Sequence, residues 1–393
     1  MAILGIRGTG DWGTDERPKN FRETILWRQP NGQTPLTALL SKMGSESTND
    51  PEFAWWEEQL NTMRVQLNGA IANGVITTLV IQAAVDTTNL VAGDLLLVEK
   101  ADSTTYDNEI VEVASVTNAT TFEVIRGAAG TTPVAIADAS YLTKIGNVYS
   151  EGSGAPTSST RNPTKLSNFC QIFKTTYELT NTAKGTNLRT GDPLKNDKKR
   201  KMFDHSIAME WAFLFGQKSE TTGGNGKPKR TTGGIRSFLA SNVTVFGAAV
   251  TEDSLLAALY PVFNFSSGAG DERLILAGNG AINVINKVAK NSGSSRVNFD
   301  GVVKLYGMSL QRWITPQGVF YLKSHPLMNN HARYTNSAFV IDPSALKYRH
   351  FRDTAFKDNI QAPDSDTQKG QWLTEAGLEV NHEGTMAYLG AFQ

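Results

Sequence analysis

Residues 192–216, DPLKNDKKRKMFDHSIAMEWAFLFG, decide the fold, because they carry both ends of one long helix. Asp192 can accept hydrogen bonds from the free N–H groups of the first turn, Pro193 suits the first helical position, and Gly216 can end the helix in a left-handed conformation. Phe203, Ile207, Trp211, Leu214 and Phe215 recur at helical spacing, with Met202, Met209 and Phe213 on the opposite side. A second half apolar almost all round implies a helix covered on two sides. The first half is of another kind. Lys195, Lys198, Lys199, Arg200 and Lys201 crowd it, with only Asp197 among them, where the helix dipole disfavours cations. Lys195, Lys198 and Lys199 are expected on one face, with Arg200 and Lys201 further round.

The whole chain is balanced around this local excess. Its 393 residues hold 38 Lys and Arg against 38 Asp and Glu, so any electrostatic function must be local. A hydrophobic fraction of 40% can fill the cores of two or three domains. The opening MAILGIRGTGDWG has no apolar stretch of signal-peptide length, and no run approaches a membrane span. Cys170 is the one cysteine, which excludes an internal disulfide and a cysteine-based metal cluster. The expectation is a soluble protein made in a reducing cytoplasm.

Working outward, residues 1–50 read as an extended arm without a core of its own, holding one short helix over Thr34 to Met43. From Val65 to Ile145 the runs GVITTLVIQ, GDLLLVEK, NEIVEVASV, TTFEVIRG and SYLTKIG, separated by turn residues, predict a small all-β sandwich or barrel. Alternation is clearest in Glu109 to Val116, with Ile110, Glu112, Ala114 and Val116 on one face. Residues 151–168 are rich in Gly, Ser, Thr and Pro and read as a draped segment, followed by a strand in CQIFKTTYELTNTA. After the helix, GQKSETTGGNGKPKRTTGG reads as a flexible loop. The remainder is α+β: a helix in TEDSLLAALYPVFN capped by Thr251, a strand in ERLILA, a helix in AINVINKVAK, and strands in GVVKLYGMSLQRWI and GVFYLKS. The end, QWLTEAGLEV then TMAYLGAFQ, predicts a hairpin around Asn381 to Gly384.

The segments that could carry catalysis do not. LILAGNGAIN resembles the start of a dinucleotide fold, but Asn283 stands at the third glycine position and no βαβ pattern follows, so a tight strand-to-helix turn is the reading. GGNGKPK lacks the Ser or Thr that a phosphate loop needs after Lys227. Glu57 and Glu58 would point to opposite faces of a strand and cannot share a substrate. His325 and His331 have no metal-binding spacing and no flanking carboxylate, and Cys170, beside Phe169 and Ile172, suits a buried apolar place. No catalytic, cofactor or metal residue is expected, and the protein reads as a non-enzyme.

The ordered set TPLTALL, WWEEQL, GDLLLV, EIVEV, TFEVIRGAAGTT, RNPTKLSNFCQIFKTTYELTNTA, the long helix, RTTGGIRSFL and WLTEAGLEVNHEGTMAYLG resembles the major capsid proteins of tailed bacteriophages with the Hong Kong 97-type fold, in particular a podovirus-like group. The resemblance runs from about Pro35 to the end. It implies an α+β fold with an N-terminal arm (1–50), an extended loop with peripheral strands (51–67 and 147–182) and an inserted small all-β domain (68–146). A peripheral domain (183–249) would hold the spine helix at 193–215, an axial domain would span 250–345, and 346–393 would return to the peripheral domain. The implied function is a virion shell protein that assembles as hexamers and pentamers around double-stranded DNA. Scaffold, portal and decoration proteins would be partners, without a membrane, and assembly would take place in the bacterial host cytoplasm. The spine helix would lie along the inner surface, where Lys195, Lys198, Lys199, Arg200 and Lys201 face either DNA phosphates or acidic groups of an adjacent subunit. An encapsulin-like compartment is the alternative within the fold. A carbohydrate-binding adhesin is the alternative outside it, weakened by the few aromatics (Tyr106, Phe122, Tyr141) between Val65 and Ile145.

Overall fold

A helix apolar at one end needs a surface to lie on, and in the computed structural model that surface is a sheet of long strands. The structure describes residues 34–41, 45–58, 64–82, 90–99, 109–158, 162–186, 188, 190–266, 268, 270–291, 298–305 and 308–393. Most of the expected arm, the end of its short helix at Met43, and Tyr106 lie outside these.

In chain order the elements begin with α1 (Pro35–Leu40), β1 (Ser45–Ser47), β2 (Glu52–Glu57), β3 (Arg64–Gln66), β4 (Thr78–Val80), β5 (Asp94–Val98), β6 (Ile110–Val116), β7 (Thr121–Ala128), β8 (Tyr141–Asn147), β9 (Thr164–Phe169) and β10 (Gln171–Thr180). Next come α2 (Asn181–Gly185), α3 (Pro193–Phe215), β11 (Ser219–Thr222), β12 (Pro228–Thr231), α4 (Ile235–Phe238), β13 (Val243–Val245), α5 (Glu252–Leu259), β14 (Glu272–Ala277) and α6 (Asn279–Asn291). The chain closes with β15 (Asn298–Leu305), β16 (Met308–Thr315), β17 (Gly318–Ser324), α7 (Pro326–Asn329), β18 (Ala338–Ile341), β19 (Leu346–Lys357), β20 (Thr367–Val380) and β21 (Ala387–Gly390). They sort into two compact units, residues 56–165 and the remainder.

The larger unit has two main sheets, ordered β1-β19-β20-β10 and β13-β21-β18-β14-β17-β16-β15. In the first, β10 pairs antiparallel with β20 without interruption, from Gln171 opposite Ala376 to Thr180 opposite Thr367. Helix α3 lies on this sheet, where Phe173 meets the rings of His205 and Phe213 edge-on, both at 6.3 Å. One core joins α1 (Leu36, Leu39, Leu40) to Phe213, Leu276, Phe339 and Leu378. A second core packs α5 and α6 (Leu255, Leu259, Ile285) on the other face of the seven-stranded sheet, against Ile275, Phe320 and Val340. Strand β14 therefore reads as a continuous apolar run, because Leu274 and Leu276 serve one core while Ile275 and Ala277 serve the other.

The smaller unit is a closed barrel. Its six antiparallel strands run β3-β8-β5-β6-β7-β4, and the bridge Leu67 to Ile81 joins the first strand to the last. Asn68 N–H donates to the Val80 carbonyl at 2.8 Å and Gln82 N–H to that of Gln66 at 3.0 Å, so the edges are sealed. Val65, Leu79, Leu96, Val111, Val113, Phe122, Val124 and Leu142 fill the interior. In β6, Val111 and Val113 point inward, while Ile110 and Glu112 are half-buried. Register shifts between Ile110 and Glu112, and between Val113 and Ser115, end the alternation, so Ala114 to Val116 are exposed.

Several sequence expectations are corrected. The chain end is not a hairpin, for β20 belongs to the four-stranded sheet and β21 lies between β13 and β18 in the other. His382, in the left-handed region at φ 50°, and the turn Glu383–Thr385 redirect the chain. The buried Arg273 guanidinium fixes that turn by donating to the Thr385 carbonyl (3.1 Å), while also binding the Val262 carbonyl (3.1 Å). The loop after α3 is a hairpin, β11 against β12. The end of the draped segment, Thr164–Phe169, is β9 and pairs with β2. Gly216 ends α3 at φ −58°, outside the left-handed region. Glycine is required there by space, since a Cβ would press into the carbonyls of Ala212 and Thr232.

The buried side of α3 is also rotated from the expected stripe. It consists of His205, Met209, Glu210, Phe213 and Leu214, with Phe203, Ile207, Trp211 and Phe215 half-buried and Met202 exposed. Two polar residues occupy core positions, which an apolar-periodicity reading passes over.

Candidate functional site

At its start, α3 is built as the sequence implies. Asp192 Oδ1 accepts from Leu194 N–H at 2.9 Å, and Pro193 occupies the first turn. The five cations that follow are in three different situations. Arg200 pairs with Asp197 (3.3 Å) and Lys201 with Asp204 (3.2 Å), both on the exposed side of the helix. Lys198 turns toward the sheet, its ammonium 3.5 Å from the Phe356 ring centroid and 5.9 Å from that of Trp372. Trp372 Nε1–H donates to the Lys198 carbonyl at 3.3 Å, which fixes the stack from the other side. Lys195 and Lys199 remain exposed. The expected common face of Lys195, Lys198 and Lys199 is therefore not formed, because aromatic rings of β19 and β20 capture the middle member.

The residues that sequence reasoning missed are deeper in the same helix. Glu210 is fully buried and accepts from Leu36 N–H (2.8 Å), Thr37 N–H (2.7 Å), the Thr37 hydroxyl (2.5 Å) and His325 Nε2 (2.9 Å). The first turn of α1 lacks a side-chain cap from Thr34, so Glu210 supplies its missing acceptor from another helix. His325, read from sequence as lacking a carboxylate, gets one from 115 residues away. A lone glutamate in the apolar half of α3 was the available signal. Higher on the same face, His205 is held between Thr175 Oγ1 (3.2 Å) and Thr374 Oγ1 (2.7 Å), and burial keeps its imidazole below its ordinary value.

The four-stranded sheet carries its own charge order. Arg349 binds Glu379 (2.5 Å) and also Glu46 on β1, Arg352 binds Glu375 (2.6 Å), and Lys369 binds Glu178 (3.0 Å). Burial pushes the Cys170 thiol up to about 12, which removes it as a nucleophile. Among the described residues no group of His, Cys, Asp and Glu could hold a metal ion, and no helix is long and apolar enough to cross a membrane.

The model of the family described as SU10 major capsid protein matches residues 7–391, through both units. The chain belongs to this family. It is a major capsid protein, a component of the phage virion and the repeated subunit of an icosahedral head shell. The major capsid protein of Pseudomonas phage PaMx41 is 28% identical over 348 residues, covering 84% of this chain and 78% of that one. Two solved structures share the fold at low identity. The capsid of a native GTA particle matches at 10% identity, TM-score 0.51, over 98% of both chains. A structure from Mycobacterium phage Bobi matches at 8% identity, TM-score 0.50, over 96% of both. This capsid protein has the Hong Kong 97-type fold that the resemblance implied. A match through both units sets aside an adhesin built round the barrel, and the family is one of capsid proteins rather than cargo compartments.

Proposed function

We propose that this capsid protein places the first half of α3 against packaged double-stranded DNA, with Lys195 and Lys199 as the phosphate-facing residues. The observation that supports the reading is that Lys195 and Lys199 are exposed on the first half of α3, while Lys198 is turned onto the aromatic rings of the sheet. Two charges per subunit bind phosphate weakly, but identical contacts repeated over a shell add up. Net neutrality of the chain keeps free subunits from trapping DNA.

The same reading assigns residues 1–50 to an arm over a neighbouring subunit, 51–67 and 147–182 to the extended loop, and 68–146 to an insertion in it. Residues 183–249 form the peripheral domain and 250–345 the axial domain at the centre of hexamers and pentamers. Residues 346–393 return through β19 and β20 and end, in β21, in the seven-stranded sheet. Scaffold, portal and decoration proteins are the further partners, assembly takes place in the host cytoplasm, and the subunit works structurally, without catalysis.

The test replaces Lys195 and Lys199 together with glutamine. Empty shells should assemble at parental yield, and filled particles should lose DNA at lower salt than the parent. Failure of assembly, with either lysine crosslinking to a carboxylate of a neighbouring copy, would make these residues subunit contacts and overturn the DNA reading.

A further inference from the structure

The two ends of the β10–β20 pair carry opposite charges, and neither set is neutralised by an ion pair among the described residues. At one end, a groove of about 470 Å³ runs between β10 and the β11–β12 hairpin. Lys174, Lys227 and Lys229 line it, all exposed, and none enters an ion pair among the described residues. The other charges at its wall are already used, Arg230 by Glu220 (2.7 Å) and Glu375 by Arg352 (2.6 Å). Ile172, 47% exposed, gives the groove one apolar contact point. β10 is also the outermost strand of its sheet, so the groove runs beside an open strand edge.

At the other end, residues 358–366, DNIQAPDSD, join β19 to β20 with three aspartates and no cation. Tyr177 OH donates to Asp358 (3.1 Å) and Asn181 Nδ2 to Asp366 (2.5 Å), so the loop has a held shape. Asp364 is exposed, and Ile360 is 37% exposed. From Lys174, opposite Leu373, to Thr180, opposite Thr367, is six residues along one strand pair. At about 3.4 Å per residue the patches are roughly 20 Å apart on a single rigid sheet, so the loop cannot reach its own groove.

We propose that the 358–366 loop of one copy docks in the Lys174–Lys227–Lys229 groove of the next, with Ile360 against Ile172. This goes beyond the DNA reading and rests only on the chain assembling with copies of itself. Three negative charges meet three unpaired positive ones, and a loop holding Pro363 can lie along a strand edge without continuing the sheet. The contact is heterologous, donor patch on one copy and acceptor patch on the next, which is the kind that closes rings.

The test uses the full chain with Asp364→Cys and Lys227→Cys together. Under mild oxidation, assembled shells should give a ladder of disulfide-linked subunits, and neither single variant should, since Cys170 is buried. Asp364→Lys with Asp366→Lys should lower shell yield about tenfold, the effect of about 1.4 kcal/mol per copy, and adding Lys227→Glu with Lys229→Glu should restore it. Should the reversed variants misfold by circular dichroism, the cysteine pair decides alone. Normal shells without the ladder overturn this contact and leave the capsid assignment intact, as does a Lys227→Cys crosslink to any other protein.

Discussion

The barrel and the helix-on-sheet unit solve the problem of buried charge in opposite ways. In the barrel, Glu109 and Arg126 are both almost fully buried, 2.6 Å apart, and every member of the network belongs to the barrel unit itself. Glu109 also accepts from Gly127 and Val134 N–H, and Arg126 donates to the carbonyls of Asn73, Ile76 and Val134, which pins two loops to the barrel. In the larger unit, Glu210 and His325 join segments far apart in sequence, and Glu210 also holds α1. The barrel closes its edges and answers its own charges. Among the described residues, the larger unit leaves an open strand, a groove of lysines without ion pairs and an acidic loop without ion pairs, which suits a part meant to be completed by neighbours.

That contrast should break first at Arg126. Arg126→Met leaves Glu109 buried without its cation and should destabilise the barrel by roughly 3–5 kcal/mol. Hydrogen exchange on the full chain should show lost protection in 64–147 and little change in β10 or β20. Spread of the effect into those strands would mean that the barrel is not energetically separate. Glu210→Gln should cost less, about 1–3 kcal/mol, because it presents an amide donor to groups that are themselves donors. Its signature is faster exchange at residues 34–40, and unchanged exchange there would show that apolar packing of Leu36, Leu39 and Leu40 holds α1 alone.

Acid should separate the two units in order. Burial holds His205 below its ordinary 6.5, so the unfolded chain takes up the proton first. The stability this neutral imidazole contributes is whole above about 6.5 and is lost as pH falls through the folded value. For Glu109, burial alone would raise the carboxyl, but the Arg126 hydrogen bond, the Val134 and Gly127 N–H groups and the Arg126 charge together lower it below 4.5. Its contribution is therefore whole above about 4.5 and is lost below that. Protection factors at β10, α3 and β20 should fall as pH drops below about 6.5, before any change in the barrel, and His205→Asn should flatten this first phase. A barrel that loosens first would reverse the comparison.

How much of this was legible differs between the units for a physical reason. In the barrel, β5, β6 and β7 pair in sequence order, so runs such as TTFEVIRG show the alternation and turns that define them. Helix α3 was legible at its start, through Asp192 and Pro193, because capping is local. Its buried side was not, since Glu210 and His205 are core residues only in company with Leu36, Thr37, His325, Thr175 and Thr374, all distant in sequence. The chain end misled for the same reason. QWLTEAGLEV and TMAYLGAFQ have the local texture of a hairpin, and contacts from Arg273 and Asn242, each more than a hundred residues away, together with the left-handed His382, send β21 to the other sheet. The basic cluster was visible as composition, yet its division into stacked, paired and exposed cations depended on Phe356 and Trp372.

That division gives the smallest expected effect. Lys198 is half-buried over two rings, where a cation–π contact is worth about 0.5–1 kcal/mol. Lys201 makes an exposed pair three residues along its own helix, worth about 0.5 kcal/mol or less. Lys198→Gln should therefore lower the urea midpoint of the larger unit measurably, and Lys201→Gln should leave it within error. High salt should erase what little Lys201 contributes while sparing more of the Lys198 contact, because rings shield one side of that ammonium from solvent. Equal, negligible effects would mean that Lys198 is not held by the rings. It would then be free to join Lys195 and Lys199 as a third phosphate-facing cation, and the glutamine test of the DNA reading would have to include it.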